Sequence, residues 1–234
     1  MQRSARCAVV WGLLLLLVAG CTRDPNVKKR EYVESGDRYF AGRQYREAVI
    51  QYSNALQVDP RDAPAHYKLA QSHLRLGSAV AAFNELMRTV DLDPQNWKAQ
   101  VDLGNLLLGA HQYDQALERG QLVLKGDASN VEAQILVANT YFGMGYEDRA
   151  MAAMKKALEM APNRAETYVN LAIQQSLAGK ATAAEESFQK GLAIEPRSAR
   201  VHQELGHFYG QQKRWAEAEE ELRAARDLEP QNPV

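Results

Sequence analysis

Apolar and polar positions along this chain fall into a rhythm that returns at a fixed interval. The units run 29–62, 63–96, 97–130, 131–164, 165–198 and 199–232, with no insertion between them. Inside each half-unit the apolar residues recur three and four places apart, the spacing of one face of a helix with 3.6 residues per turn. Each unit therefore predicts two amphipathic helices joined by a turn. Gly77, Gly145 and Gly179 fall between the halves, where a helix ends on a left-handed residue. Pro60, Pro94, Pro162, Pro196 and Pro230 stand 34 or 68 residues apart, and Ala128 fills the one gap. The proline ring cannot continue the hydrogen-bond ladder, so it is expected to close the second helix.

The eighth place of each unit is small: Gly36, Ala70, Gly104, Ala138, Ala172 and Gly206. The twentieth is alanine all six times, from Ala48 to Ala218. Large apolar residues sit one place before the small one, as at Leu69, Leu103, Val137, Leu171 and Leu205. The twenty-fourth place is mostly bulky, with Tyr52, Leu86, Met154, Phe188 and Leu222. Small residues let two helix backbones approach, and bulky ones fill the space around the crossing. One unit alone leaves an apolar face open, so units must stack. This pattern resembles the tetratricopeptide repeat family, with its 34-residue helix–turn–helix. The resemblance implies an all-α fold, an α-solenoid of six tandem repeats over 29–232 with a two-residue tail at 233–234. The third unit departs from the pattern. Gly120 takes a bulky place, Val123 a small one and Ala128 the proline's, which predicts local repacking at the softest point of the array. In the family the last repeat is usually followed by a covering helix. Here Arg226 replaces the leucine or valine of Leu56, Val90, Leu124, Leu158 and Leu192, a charge that would let the last helix act as its own polar cap.

The segment before the repeats has a different pattern. Arg3 and Arg6 precede an uncharged run from Cys7 to Thr22, short of the roughly 20 apolar residues a membrane-spanning helix needs. A basic start, a short apolar middle and small residues before a cut describe an export signal. Leu17-Val18-Ala19-Gly20-Cys21 resembles the lipobox of bacterial lipoproteins. That resemblance implies a signal peptide over 1–20 that is cleaved, and a lipid-anchored chain beginning at an acylated Cys21. It also implies a location in the bacterial cell envelope. Thr22 in place of aspartate is what the family associates with export to the outer membrane, facing the periplasm. Residues 21–28 then form the lipidated N-terminus and a tether, in which seven residues reach at most about 25 Å. Lys28, Lys29 and Arg30 would lie near lipid headgroups, or form an ordinary solvated first helical turn.

Removing Arg3 and Arg6 takes the formal net charge from −1 to −3, which leaves no electrostatic footprint for nucleic acid. With Cys7 in the signal and Cys21 acylated, no thiol remains for a disulfide or a metal. His66 and His73 lie two helical turns apart, but at places where the repeat packs aromatics, and His202 shares the place of His66; a core role is expected. Glu185-Glu186 and the run Glu217 to Glu221 read as a solvated face, spaced to pair with Lys190 and Arg223 four residues on. Met144, Met151, Met154 and Met160 are expected to fill gaps. No phosphate loop or nucleophile motif is present, so no catalytic residue, metal or cofactor is expected.

In the family, the first helix of each unit lines the binding face. Carried over, the fifth places give Val33, Tyr67, Val101, Ile135 and Val169, with Gln203 breaking the run. The twelfth places give Phe40, Leu74, Leu108 and Phe142. Asn105, Asn139 and Asn170 accompany them, and a side-chain amide both donates to and accepts from a peptide backbone. Lys68 and Lys98 stand ready for an acidic group, without the full lysine–asparagine clamp of carboxylate-binding relatives. The expected function is a non-catalytic scaffold that grips a protein segment and aids assembly of an envelope complex, as pilotins of type IV pilus secretins do. The alternative is a regulatory or substrate-presenting subunit of an envelope enzyme, such as a cell-wall hydrolase or a glycosyltransferase.

Overall fold

The computed structural model describes residues 24–229, so the expected signal, Cys21 and Pro230 lie outside the described residues. Among the described residues there are twelve α-helices and no strand. They are α1 (Pro25–Ala41), α2 (Tyr45–Val58), α3 (Ala63–Arg75), α4 (Ala79–Leu92), α5 (Trp97–Gly109), α6 (Tyr113–Gly126), α7 (Val131–Gly143), α8 (Glu147–Met160), α9 (Ala165–Leu177), α10 (Ala181–Ile194), α11 (Ala199–Gln211) and α12 (Trp215–Leu228). Each odd helix packs on the even helix that follows it. The fold is all-α, six tandem helix pairs. The first helix starts at Pro25, inside the stretch expected to be tether, with Asp24 accepting from the Asn26 amide as its N-cap. None of the described helices is long and apolar enough to cross a membrane.

The chain divides into two compact units, Met1–Pro94 and Gln95–Val234. In the first, Ala48, Tyr52 and Leu69 form a core with Tyr39, Phe40, Val49 and Leu56 around it. Its tight crossing is Gly36, where a Cβ would stand 2.5 Å from the Tyr52 ring. In the second, Val101, Val123 and Ala133 form one cluster, and Ile135, Val137, Ala138, Ala153, Met154 and Ala157 another. A third is built on Phe188, Val201, Leu205, Phe208 and Tyr209. All six twentieth-place alanines are buried. Met154 is buried as expected, but Met151 is exposed.

Turn geometry repeats more faithfully than turn sequence. The fifteenth place is left-handed in all six units, at Gly77, Gly145 and Gly179, and equally at Arg43, His111 and Lys213 with φ near +60°. After each such residue an amide reaches back to a carbonyl of the first helix, as Ser78 N–H to His73 O at 2.9 Å, closing a Schellman-type end. The first helices of units two to four are capped by Asp62, Asn96 and Asn130, which accept from amides three residues on. Arg164 and Ser198 at the same place make no such bond. The third unit is repacked. A Cβ on Gly120 would lie 2.7 Å from Val137 Cγ2, so α7 fills the space a larger residue would take, while Val123 is fully buried.

Candidate partner-binding site

The first helices α1 and α3 carry the expected binding residues of the first unit. Val33, Phe40, Tyr67 and Leu74 are half-buried, each keeping some open surface. Lys68 is not available in the way its sequence suggested. Its Nζ donates to both oxygens of Asp37, at 2.7 and 2.6 Å, and Tyr52 OH donates to the same carboxylate at 2.7 Å. Burial first, then that carboxylate, pushes the Tyr52 phenol well above its ordinary value. Lys29 is likewise held, by Asp59 at 2.9 Å and Asp62 at 2.7 Å. These hydrogen bonds raise the Lys29 ammonium, whose charge is paired within the fold. Lys28 lies over the Tyr32 ring.

In the second unit the stripe divides by depth. Val101, Ile135 and Val169 are buried in the three clusters and offer nothing to a partner. Leu108 and Phe142, at the twelfth place of α5 and α7, stay half-open. Lys98 is exposed and forms no ion pair among the described residues. Asn105 is exposed with both ends of its amide available. Asn139 accepts from Gln174 Nε2 at 2.8 Å and keeps its donors, whereas Asn170 donates to Glu166 O at 2.9 Å and keeps its acceptor. One face thus presents two apolar side chains and three amides of differing polarity.

Charge gathers at the second places Glu132, Glu166 and Arg200, with Arg164 at the end of its unit between them. Arg164 bonds Glu132 at 2.8 Å and Glu166 at 2.6 Å, and Arg200 also bonds Glu166. Burial would raise the Glu166 carboxyl, but the two guanidinium groups outweigh it and hold it low. At the other end Arg214 bonds Glu185 at 2.7 Å and Glu217 at 2.5 Å and lies 4.2 Å from the Tyr209 ring centre, while Tyr209 OH donates to Glu185 at 3.0 Å. Arg214 holds the Glu185 carboxyl below its usual range, and burial followed by Glu185 pushes the Tyr209 phenol up to about 12. These shifts fix each group in its resting charge at neutral pH, the opposite of what proton transfer needs.

Several of these contacts were not anticipated. The run Glu217 to Glu221 is only partly a solvated face: Arg223 does pair with Glu219 at 2.7 Å, but Glu221 bonds His202 Nδ1 at 2.6 Å, and Glu185 and Glu217 hold Arg214. His66 repeats the arrangement, with Glu85 at 2.6 Å and the Pro60 carbonyl at 3.1 Å, as His202 has the Pro196 carbonyl at 3.1 Å. The signal was in the register, since both histidines occupy the fourth place and both glutamates the twenty-third. Among the described residues no three His, Cys, Asp or Glu side chains gather as a metal site.

Six helix pairs with small residues at their crossings define an array of tandem helical repeats. Models of the tetratricopeptide repeat match residues 36–77, 131–164 and 177–234. The chain is built of tetratricopeptide repeats. Hsp70-Hsp90 organizing protein 3 of Arabidopsis thaliana is 31% identical over 104 residues, which are 44% of this chain and 18% of that one. The chain thus spans under a fifth of that relative. A tetratricopeptide repeat protein from Parabacteroides merdae has a similar structure, with a TM-score of 0.81 at 18% identity, covering 93% of this chain and 84% of that one. PilW, a type IV pilus biogenesis factor, has a TM-score of 0.67 at 18% identity, covering 91% and 96%. At these identities the likeness is one of fold. Tetratricopeptide arrays as a class bind protein partners.

Proposed function

We propose that this chain is a non-catalytic scaffold that holds an extended segment of a protein partner along its first-helix faces. The carrying observation is the split between the fifth and twelfth places of the second unit. Val101, Ile135 and Val169 go to the core, while Leu108 and Phe142 keep open surface beside Asn105, Asn139 and Asn170. Apolar side chains of the segment would bury against Leu108 and Phe142, and the amides would set its register through backbone hydrogen bonds. In the first unit Phe40, Tyr67 and Leu74 offer the same kind of surface.

The second part of the proposal is the place of work. Leu17 to Cys21 reads as a lipobox, so the chain would be held in the bacterial cell envelope by acyl groups on Cys21, in the outer membrane facing the periplasm. More than one acyl chain is needed for stable anchoring, at about 0.8 kcal/mol per buried methylene. From there it would aid assembly of a secretion, pilus, outer-membrane or polysaccharide-export complex. The shared fold of PilW does not choose among them.

The test is affinity capture from detergent-solubilised membranes with Asn105→Ala, Leu108→Ser and Phe142→Ser combined. Loss of the captured partners with helical circular dichroism retained is the expected result. Unchanged capture would remove these faces from the reading.

A further inference from the structure

The last helix pair ends in an open groove of about 870 Å³. Its floor and walls include Gly206, Gly210, Trp215, Ala218, Leu222 and Arg226, and the Trp215 indole is 68% exposed. One repeat earlier the chain itself records what fills this space. The matching residues Ala172, Ala184 and Phe188 are buried, with Ile173, Ala181 and Leu192 packed around them, under Val201, Leu205, Phe208 and Tyr209 of α11. Only about 80 Å³ stays open there.

We propose that the groove on α11 and α12 receives an amphipathic helix from a partner protein, with apolar side chains at i, i+4, i+7 and i+8 and acidic residues in its first turn. The spacing is that of Val201, Leu205, Phe208 and Tyr209, which fit the same groove 34 residues upstream. The acidic turn follows from charge. Four residues link α10 to α11, so the last turn of α10, with Leu192, stands beside the first turn of the incoming helix. In the open groove that place is Arg226, with Arg223 one turn before it. Arg223 bonds Glu219 and Arg226 bonds Asp227, all four groups well exposed, so carboxylates in a first helical turn can share these cations as well as the positive end of their own helix. A hydroxyl at i+8 would reach Glu219, as Tyr209 reaches Glu185. A second copy docked head to tail fits poorly. At the corresponding places α1 offers Glu31, Ser35, Arg38 and Tyr39, which would bury unmatched charge. This docking surface is separate from the proposed binding of an extended segment.

The probe is a lactam-stapled, fluorescein-labelled peptide with the sequence of residues 198–211, titrated against the full chain by anisotropy. Saturable binding is expected, weakened about tenfold or more by Trp215→Glu and by Gly210→Glu, since buried tryptophans dominate such contacts. Ala199→Glu with Arg200→Glu in the peptide should tighten binding about threefold, the scale of an exposed ion pair. Arg226→Leu in the chain, which restores the residue type of the earlier repeats, should abolish that gain when combined with Arg223→Ala. Circular dichroism is the control that each variant remains folded. No saturable binding, or equal binding to the Trp215 and Gly210 variants, overturns the proposal. Self-association of the full chain in sedimentation equilibrium, abolished by the same substitutions, also overturns it, because the occupant would then be a second copy.

Discussion

Gly120 sits in the middle of α6, where helix propensity alone argues for replacement. Alanine there would gain about 1 kcal/mol of intrinsic helicity. Its Cβ would meet the branched, stiff Val137 side chain at 2.7 Å, and overpacking of that kind costs about 1–3 kcal/mol. Gly120→Ala should therefore lower the melting temperature, measured by circular dichroism, against the direction that propensity gives. The fifth place teaches a related lesson. The family resemblance put Val101, Ile135 and Val169 on the binding face, yet they are buried, because depth within a helix face depends on what the neighbouring helices bring against it. Protonation is also decided by neighbours. Arg214 depresses Glu185 and Glu217, so their contribution is complete above the ordinary carboxylate value of about 4.3 and is lost as pH falls below it. Tyr209 titrates upward, to about 12. Its contribution is complete below the ordinary phenol value of about 10 and is lost as pH rises from there. Melting curves across pH should show both flanks, and Tyr209→Phe should remove the tyrosine's part of the alkaline one and a smaller part of the acidic one, since its hydroxyl helps Arg214 hold Glu185 low.

Helix ends show which local rules the repeat enforces. At the fifteenth place three glycines announce the left-handed turn, yet Arg43, His111 and Lys213 adopt it too, because each helix pair must close at that point. A side chain in that conformation costs about 1–2 kcal/mol, partly offset by the greater freedom glycine gives the unfolded chain. Lys213→Gly should consequently stabilise the protein by about 0.5–1 kcal/mol in urea unfolding. His111→Gly should gain less, since His111 Nδ1 lies 2.7 Å from Tyr113 OH and that contact would be lost. Closure of the second helix is similarly independent of its marker. α6 stops at Gly126 although Ala128 stands where other units have proline. Caps separate the first helices from one another: Asn130→Ala removes a bond to Ala133 N and should cost about 1 kcal/mol, whereas Ser198→Ala, where no cap bond exists, should cost little.

For the molecule as a whole, attachment and assembly are separate properties of separate segments. Cys21→Ser should release the chain from the membrane fraction on cell fractionation while leaving the melting curve of the repeats unchanged; retention in the membrane would remove the lipid anchor from the proposal. The number of helix pairs, their order and the small-against-large crossings were legible in the sequence, because each unit repeats the same local choices of face, turn and close approach. Registers also held the histidine–glutamate ties at the fourth and twenty-third places, unread until the structure set them side by side. Tertiary structure alone decided which apolar residues sink and which stay open. It also decided that Lys29, Lys68 and Glu185 are held within the fold, and that Val137 fills the gap at Gly120. Those outcomes depend on contacts between helices far apart in sequence. A side chain's pattern fixes the direction it points from its own helix, but burial and pairing belong to what arrives from the other side.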